Sequence, residues 1–267
     1  MDWMELLRSK KLFLFDMDGT LYLGDRLFDF TRELLSVLKA SGRKYMFMTN
    51  NSSKSVEDYV KKMDRLGIPS RPEEFITSAQ ATAIYLKAHH PRKTLYVCGT
   101  DSFLKSLTDE GFTIAKEPEQ AQCVVMSLDT ELTFRKLRDV CWLLSTRPEI
   151  PYLASHPDLA CPTEFGFVPD CGSICQMIFN ATGREPQYIG KPNPLMPELA
   201  MEWTGCTREE TVVIGDRLST DIESGVNAGI ATVLVLTGEA TLASSQQSQV
   251  QADIVLKDAG EILKALK

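Results

Sequence analysis

The sequence lacks any apolar run approaching the roughly 20 residues that a membrane-spanning helix needs. Its opening, Met1-Asp2-Trp3-Met4-Glu5, is acidic where a secretory signal would be basic. Membrane insertion and export are therefore not expected, and the chain reads as cytoplasmic. Basic residues are the minority charge, with 29 Lys and Arg against 36 Asp and Glu, a formal net charge of −7. That balance excludes the usual footprint of a nucleic-acid polymer or an anionic lipid surface. Histidine is scarce, at three residues, and the seven cysteines are odd in number and widely spread. No disulfide framework follows from them, and reduced thiols are expected. Cys171 and Cys175 stand four apart, but without a second pair they do not make a zinc motif. Asn50 and Asn51 match the glycosylation pattern, with no compartment in which to use it. What remains is an ordinary globular composition, 43% hydrophobic and 24% charged, long enough for one large domain or two modest ones.

Apolar spacing gives the organisation. Residues 11–15, Lys-Leu-Phe-Leu-Phe, read as a buried strand that stops at an acidic, glycine-containing loop. Phe30, Leu34, Leu35, Val37 and Leu38 recur at helical spacing and Gly42 closes the segment. A strand over 45–48 and a helix carrying Tyr59, Val60, Met63 and Leu66 follow. The same beat returns late, with strands at 187–189, 211–214 and 232–236 and helices at 195–203 and 220–228. This alternation predicts an α/β fold with a Rossmann-like, doubly wound parallel sheet. Between the halves lie further strands (95–98, 123–127, 152–154) and a helix near 132–144, punctuated by Pro118, Pro148 and Pro151. The chain thus divides into a discontinuous core, 1–79 and 185–267, around an inserted α/β domain, 80–184. Residues 244–251 read as a polar surface loop.

In open parallel sheets ligands bind outside the carboxyl ends of the strands. Four clusters sit there: Asp16-Met17-Asp18-Gly19-Thr20, Thr49-Asn50-Asn51, Gly190-Lys191-Pro192-Asn193-Pro194, and Gly215-Asp216-Arg217 with Asp221 further on. Asp16, Asp18 and Asp216 make an all-oxygen set suited to Mg²⁺, which keeps positions for water and a substrate phosphate. Lys191 adds positive charge, and Thr49 with backbone amides can donate to phosphoryl oxygens. A carboxylate nucleophile splits phosphoryl transfer into two steps, and a second carboxyl two residues along can serve as acid and then base. An Asp-x-Asp-Gly string also opens a calcium loop, but the glutamate such a loop needs at its twelfth position is Leu27 here. Pro192 stands where a nucleotide P-loop needs Ser or Thr.

The strings DMDGTLY at 16–22, TNN at 49–51, GKPNP at 190–194 and GDRLSTD at 215–221 resemble, in order and spacing, the four motifs of the haloacid dehalogenase (HAD) superfamily of phosphatases. The large insert between the second and third motifs is similar to that of the NagD-like and 4-nitrophenyl phosphatase branch. The resemblance implies a Mg²⁺-dependent phosphomonoesterase acting on a small phosphorylated metabolite through an aspartyl phosphate. Asp16 would be nucleophile and metal ligand. Asp18 would be general acid/base and lend its backbone carbonyl to the metal. Thr49, Asn50 and Asn51 would bind phosphate or orient the nucleophile, and Lys191 would neutralise Asp16 and the phosphate. Asp216 would complete the metal site, with Asp221 either supporting it or capping the following helix.

The insert would act as a cap that excludes water and selects the leaving group. Its segments Ser155-His156-Pro157-Asp158 and Pro162-Thr163-Glu164-Phe165-Gly166-Phe167 form a candidate substrate-facing loop, with Phe165 and Phe167 read as packing within the cap. Relatives often carry asparagine in place of His156, whose role is either substrate contact or a loop hydrogen bond. A phosphotransferase or phosphomutase on the same core, a non-catalytic phosphate-binding protein, and a homodimer are left open.

Overall fold

The computed structural model describes residues 2–163 and 165–267. Met1 and Glu164, the latter part of the candidate substrate-facing loop, lie outside the described residues. The chain forms two compact units. The first takes residues 1–49, 60–76 and 191–267; the second takes 50–59 and 77–190.

The first unit is built on a six-stranded sheet in the order Ile254–Leu256, Ala231–Val235, Thr211–Gly215, Leu12–Phe15, Lys44–Thr49, Phe75–Thr77. Leu12, Phe13, Leu14 and Phe15 are all fully buried, because a strand covered on both faces has no polar side to alternate with. This strand pairs in parallel with Thr211–Gly215 on one side and Lys44–Thr49 on the other. The chain leaves it to one flank first and fills the other flank only later. Asp16 emerges where that reversal occurs, its N–H donating to the Ile214 carbonyl at 2.8 Å. Helices Trp3–Arg8, Thr31–Ala40 and Leu263–Leu266 pack together, and Leu195–Thr204 packs against Glu223–Ala228. Truncating a buried Phe of the central strand to Ala is a change that ordinarily costs about 3–5 kcal/mol.

Two local features bear on the strand ends. Leu218–Ile222 forms one wide π-type turn before the helix Glu223–Ala228, the Ile222 N–H reaching the Arg217 carbonyl at 3.1 Å. The Lys191–Pro192 peptide bond is cis.

The second unit has a five-stranded sheet, Gln187–Tyr188, Tyr152–Ala154, Cys123–Met126, Thr94–Cys98, Thr113–Ile114, with parallel neighbours throughout. Helices Phe134–Thr146 and Cys171–Thr182 close its core over Tyr96, Val124, Met126, Val140, Leu143 and Ile178. Strands Ala160–Thr163 and Gly166–Pro169 make a separate antiparallel ribbon.

The structure departs from the sequence expectations at several points. Strand Gln187–Tyr188, expected in the core sheet, pairs instead with Tyr152–Ala154, and the Ile189 and Gly190 N–H groups continue that ladder to the Ala154 and Ser155 carbonyls. Residues 50–59 join the second unit because Ser52 Oγ shares hydrogen bonds with Ser127 Oγ (2.7 Å) and Ser155 Oγ (3.0 Å). The stretch 244–251 is partly helical, since Thr241 and Ser244 form a capping box for helix Leu242–Gln247. Phe165 and Phe167 are 82% and 67% exposed rather than packed. Among the described residues, no helix is long and apolar enough to cross a membrane.

Candidate active site

The carboxyl ends of three adjacent strands of the first unit carry Asp16, Thr49 and Asp216. Lys191 enters from the cis peptide, and its side chain is only 2% exposed. Its ammonium group donates to Asp16 Oδ1 at 2.7 Å, to Asp221 Oδ1 at 2.5 Å and to the Met48 carbonyl at 3.1 Å. Burial alone favours a neutral amine, but Asp16 and Asp221 outweigh it and hold Lys191 above the ordinary lysine range. The wide turn explains the position of Asp221. Lying inside that turn rather than ahead of it, its other oxygen accepts from the Arg217 N–H at 3.0 Å while Oδ1 faces Lys191. Asp221 therefore does not serve as the N-cap of the following helix.

Asp216 is walled by glycines. A Cβ on Gly238 would sit 1.9 Å from Asp216 Oδ2, and one on Gly19 would sit 2.6 Å from the same atom. Gly19 also has φ +86°, a conformation that other residues rarely adopt. The Glu239 N–H donates to Asp216 Oδ2 at 2.7 Å, and Thr237 Oγ1 donates to the Gly19 carbonyl. Gly215 is equally constrained, since a Cβ there would meet the Asp221 carboxyl at 2.3 Å. The Thr237-Gly238-Glu239 segment carries no motif in the sequence, although it follows the strand Ala231–Val235, where the strand-end rule also applies.

Oxygens of Asp16, Asp216 and Asp221 lie within 4.8 Å of one another. The consequence is electrostatic. Burial, and then the charge of Asp221, raise the Asp16 carboxyl well above the ordinary range, with Lys191 only partly compensating. Burial and Asp221 push Asp216 up to about 7. Three carboxylates against one lysine is a surplus of negative charge that a hard divalent cation relieves, and an all-oxygen donor set suits such an ion. Asp221, where the sequence points to Asp18, completes this group of carboxylates. Asp18 itself is half-buried in the loop after Leu12–Phe15, where it forms a β-bridge with Tyr22.

Thr49 is buried at the end of its strand, and the next helix begins only at Val56, so it is not that helix's cap. Asn50 and Asn51 belong to the second unit. There Asn50 Nδ2 donates to Asp158 Oδ2 at 3.2 Å, while Asn51 Oδ1 accepts from the Ser53 N–H and hydroxyl. His156 is completely buried in the same unit, between Asp158 and Asp170.

A doubly wound core that gathers three aspartates and a buried lysine at its strand ends is equipped for acid-assisted, metal-assisted attack on a phosphoryl group. Residues 13–113 match the model of the haloacid dehalogenase-like hydrolases, and residues 188–262 match a second, HAD-hydrolase-like model. The acid sugar phosphatase of Staphylococcus aureus (strain MRSA252) is 34% identical over 261 residues, covering 98% of this chain and 100% of that protein. The crystal structure of the 4-nitrophenylphosphatase of Thermotoga maritima superimposes with TM-score 0.93 at 38% identity, covering 98% of this chain and 99% of that one. The glycerol phosphate phosphatase of Mycobacterium tuberculosis, solved in complex with calcium, gives TM-score 0.89 at 25% identity over 96% of this chain and 76% of its own. The chain belongs to the haloacid dehalogenase-like hydrolases, as a phosphatase of their NagD-like and 4-nitrophenyl phosphatase branch. Enzymes of this family use a divalent metal.

Proposed function

We propose that this phosphatase is a Mg²⁺-dependent phosphomonoesterase that hydrolyses small phosphorylated metabolites, sugar phosphates and 4-nitrophenyl phosphate among them, through an aspartyl phosphate on Asp16. The observation that carries the reading is the buried Lys191 ammonium bound at once to Asp16 and Asp221. It fixes one Asp16 oxygen and leaves the other for attack, and the Asp16 side chain, at 14% exposure, is the most open of the three groups. The substrate class rests on the relatives named above.

In the first step Asp16 attacks phosphorus and the bond to the leaving oxygen breaks as Asp18 delivers its proton there. In the second, Asp18, now a carboxylate, takes a proton from water as the water attacks the phosphoryl group, and Asp16 and inorganic phosphate are released. Thr49 donates to the phosphoryl oxygens, a role the motif extends to Asn50 and Asn51. Asp16, Asp216 and Asp221 would hold the cation, together with the Asp18 carbonyl. When bound, Mg²⁺ supplies charge neutralisation at the phosphoryl oxygens. Replacement Asp16→Asn, followed through phosphate release from 4-nitrophenyl phosphate and from a panel of sugar phosphates, should lower kcat by about 10⁴ or more. Full activity in that variant, or in wild-type protein with all divalent metal chelated, refutes the reading.

A further inference from the structure

The second unit contains a group that the chemistry above does not use. His156 follows the strand Tyr152–Ala154, is 0% exposed, and has no hydrogen-bond partner at either ring nitrogen among the described residues. Nδ1 faces Asp158 Oδ2 and Nε2 faces Asp170 Oδ1, each at 3.5 Å. Hydrogen bonds between nitrogen and oxygen ordinarily close to about 2.7–3.2 Å. An imidazole binds an ion through one nitrogen, so one of these separations matches the roughly 3.3 Å between two ligands of a tetrahedral cation at bond lengths near 2.0–2.1 Å, and the other carboxylate lies further from that nitrogen. One donor atom from each of the three residues falls within 4.8 Å of the other two.

The donors are held in place by backbone. Asp170 caps the helix Cys171–Thr182, its Oδ1 accepting from the Cys171 N–H at 2.6 Å. The Gly172 N–H donates to the Asp158 carbonyl at 2.8 Å, and a Cβ on Gly172 would lie 2.0 Å from the Pro157 carbonyl oxygen. Only glycine lets the helix start approach the Pro157–Asp158 backbone this closely. The donor set also differs in kind from that of the first unit. An imidazole with two carboxylates suits a borderline divalent ion better than Mg²⁺ or Ca²⁺, which favour oxygen alone.

We propose that His156, Asp158 and Asp170 form a second, structural metal site that takes a divalent transition ion of the zinc class. The site ties the loop after Tyr152–Ala154 to the start of helix Cys171–Thr182. Through Asp158 it also anchors Asn50. A search for cysteine pairs passes over it, because none of its ligands is a thiolate.

Full-length protein stripped of metal, then titrated with Zn²⁺ by calorimetry in excess Mg²⁺, tests the assignment. Wild type and Asp216→Asn should each bind one equivalent of zinc, and their Tm should rise with it. Asp170→Asn, which keeps a competent helix cap, and His156→Gln should each weaken that equivalent by 100-fold or more. Circular dichroism separates loss of the site from loss of the fold. With Co²⁺ as probe, the bound ion should lack the intense near-ultraviolet band of a thiolate ligand. The site does not exist if wild type binds no zinc in excess Mg²⁺. Undiminished binding in both variants, or a thiolate band, equally overturns it. None of these readouts depends on phosphatase activity, so the two readings fail separately.

Discussion

The two units solve the same folding problem with parallel sheets and flanking helices, yet they finish their strand ends differently. In the first, three adjacent strands end in Asp16, Thr49 and Asp216, and glycines at 19, 215 and 238 leave no space beside the carboxylates. In the second, strands Cys123–Met126 and Tyr152–Ala154 end in Ser127 and Ser155, whose hydroxyls are satisfied by Ser52. One set of ends holds unbalanced negative charge at the first residues past the strands; the other begins with neutral hydroxyls that pair with Ser52, and its carboxylates, Asp158 among them, come only further along. A parallel sheet supplies the place for chemistry, and the residues just past its strands decide whether any occurs.

The largest blow to this contrast should come from Lys191→Met, which keeps the bulk and removes the charge. It leaves Asp16 and Asp221 without their shared cation, a loss of about 3–5 kcal/mol by analogy with broken buried pairs. Chemical denaturation at neutral pH should show that loss, and phosphate release should collapse with it. A stability equal to wild type would mean that the carboxylates do not depend on the lysine.

Next come two glycine replacements that look alike locally and should differ in effect. Gly238→Ala drives a methyl group into Asp216, and Gly172→Ala drives one into the Pro157 carbonyl. Each should lower stability by about 1–3 kcal/mol through overpacking. Only the first should raise the Mg²⁺ concentration needed for half-maximal rate, by roughly tenfold, as disturbed metal-site support ordinarily does. Equal metal dependence in both variants would erase the distinction between the two sets of strand ends.

The smallest effect should be in pH dependence. The Asp216 carboxyl moves from 3.8 up to about 7 on folding, and Asp16 moves in the same direction. Both are easier to protonate in the fold than in the unfolded chain. The Asp216 contribution is therefore complete below pH 3.8 and lost as pH rises through about 7, and the Asp16 contribution is likewise lost with rising pH. In metal-free protein, Tm should fall over that window more steeply for wild type than for Asp216→Asn, and Mg²⁺ should flatten the wild-type curve. Parallel curves for the two metal-free proteins would contradict the assignment.

Much of this was legible from local pattern. The buried Leu-Phe-Leu-Phe strand and the acidic turn after it mark both the centre of the first sheet and Asp16. Pattern failed where partners lie far away in the chain. Gln187–Tyr188 is two residues long, and nothing in it says which of two sheets will accept it. Phe75–Thr77 runs straight into the helix that begins at Ser78, so no turn announces a strand. Asp221 has the spacing of either a cap or a charge partner, and the wide turn at Leu218–Ile222 decides between them. His156 sits among Pro and Asp residues, which read as exposed loop, yet the glycine at 172 lets a helix close over it.

The chain order of the two sheets has a consequence for synthesis. The second unit draws its residues from 50–59 and 77–190, so its sheet is complete once Tyr188 has been made. The first unit must wait, because its central strand pairs with Thr211–Gly215, which follows the whole second unit in the chain, and Lys191 meets Asp16 from 175 positions away. On the ribosome the inserted unit should therefore fold first while the Leu-Phe-Leu-Phe segment stays unpaired and apolar. The group of Asp16, Lys191 and Asp221 therefore comes together only after the inserted sheet is complete.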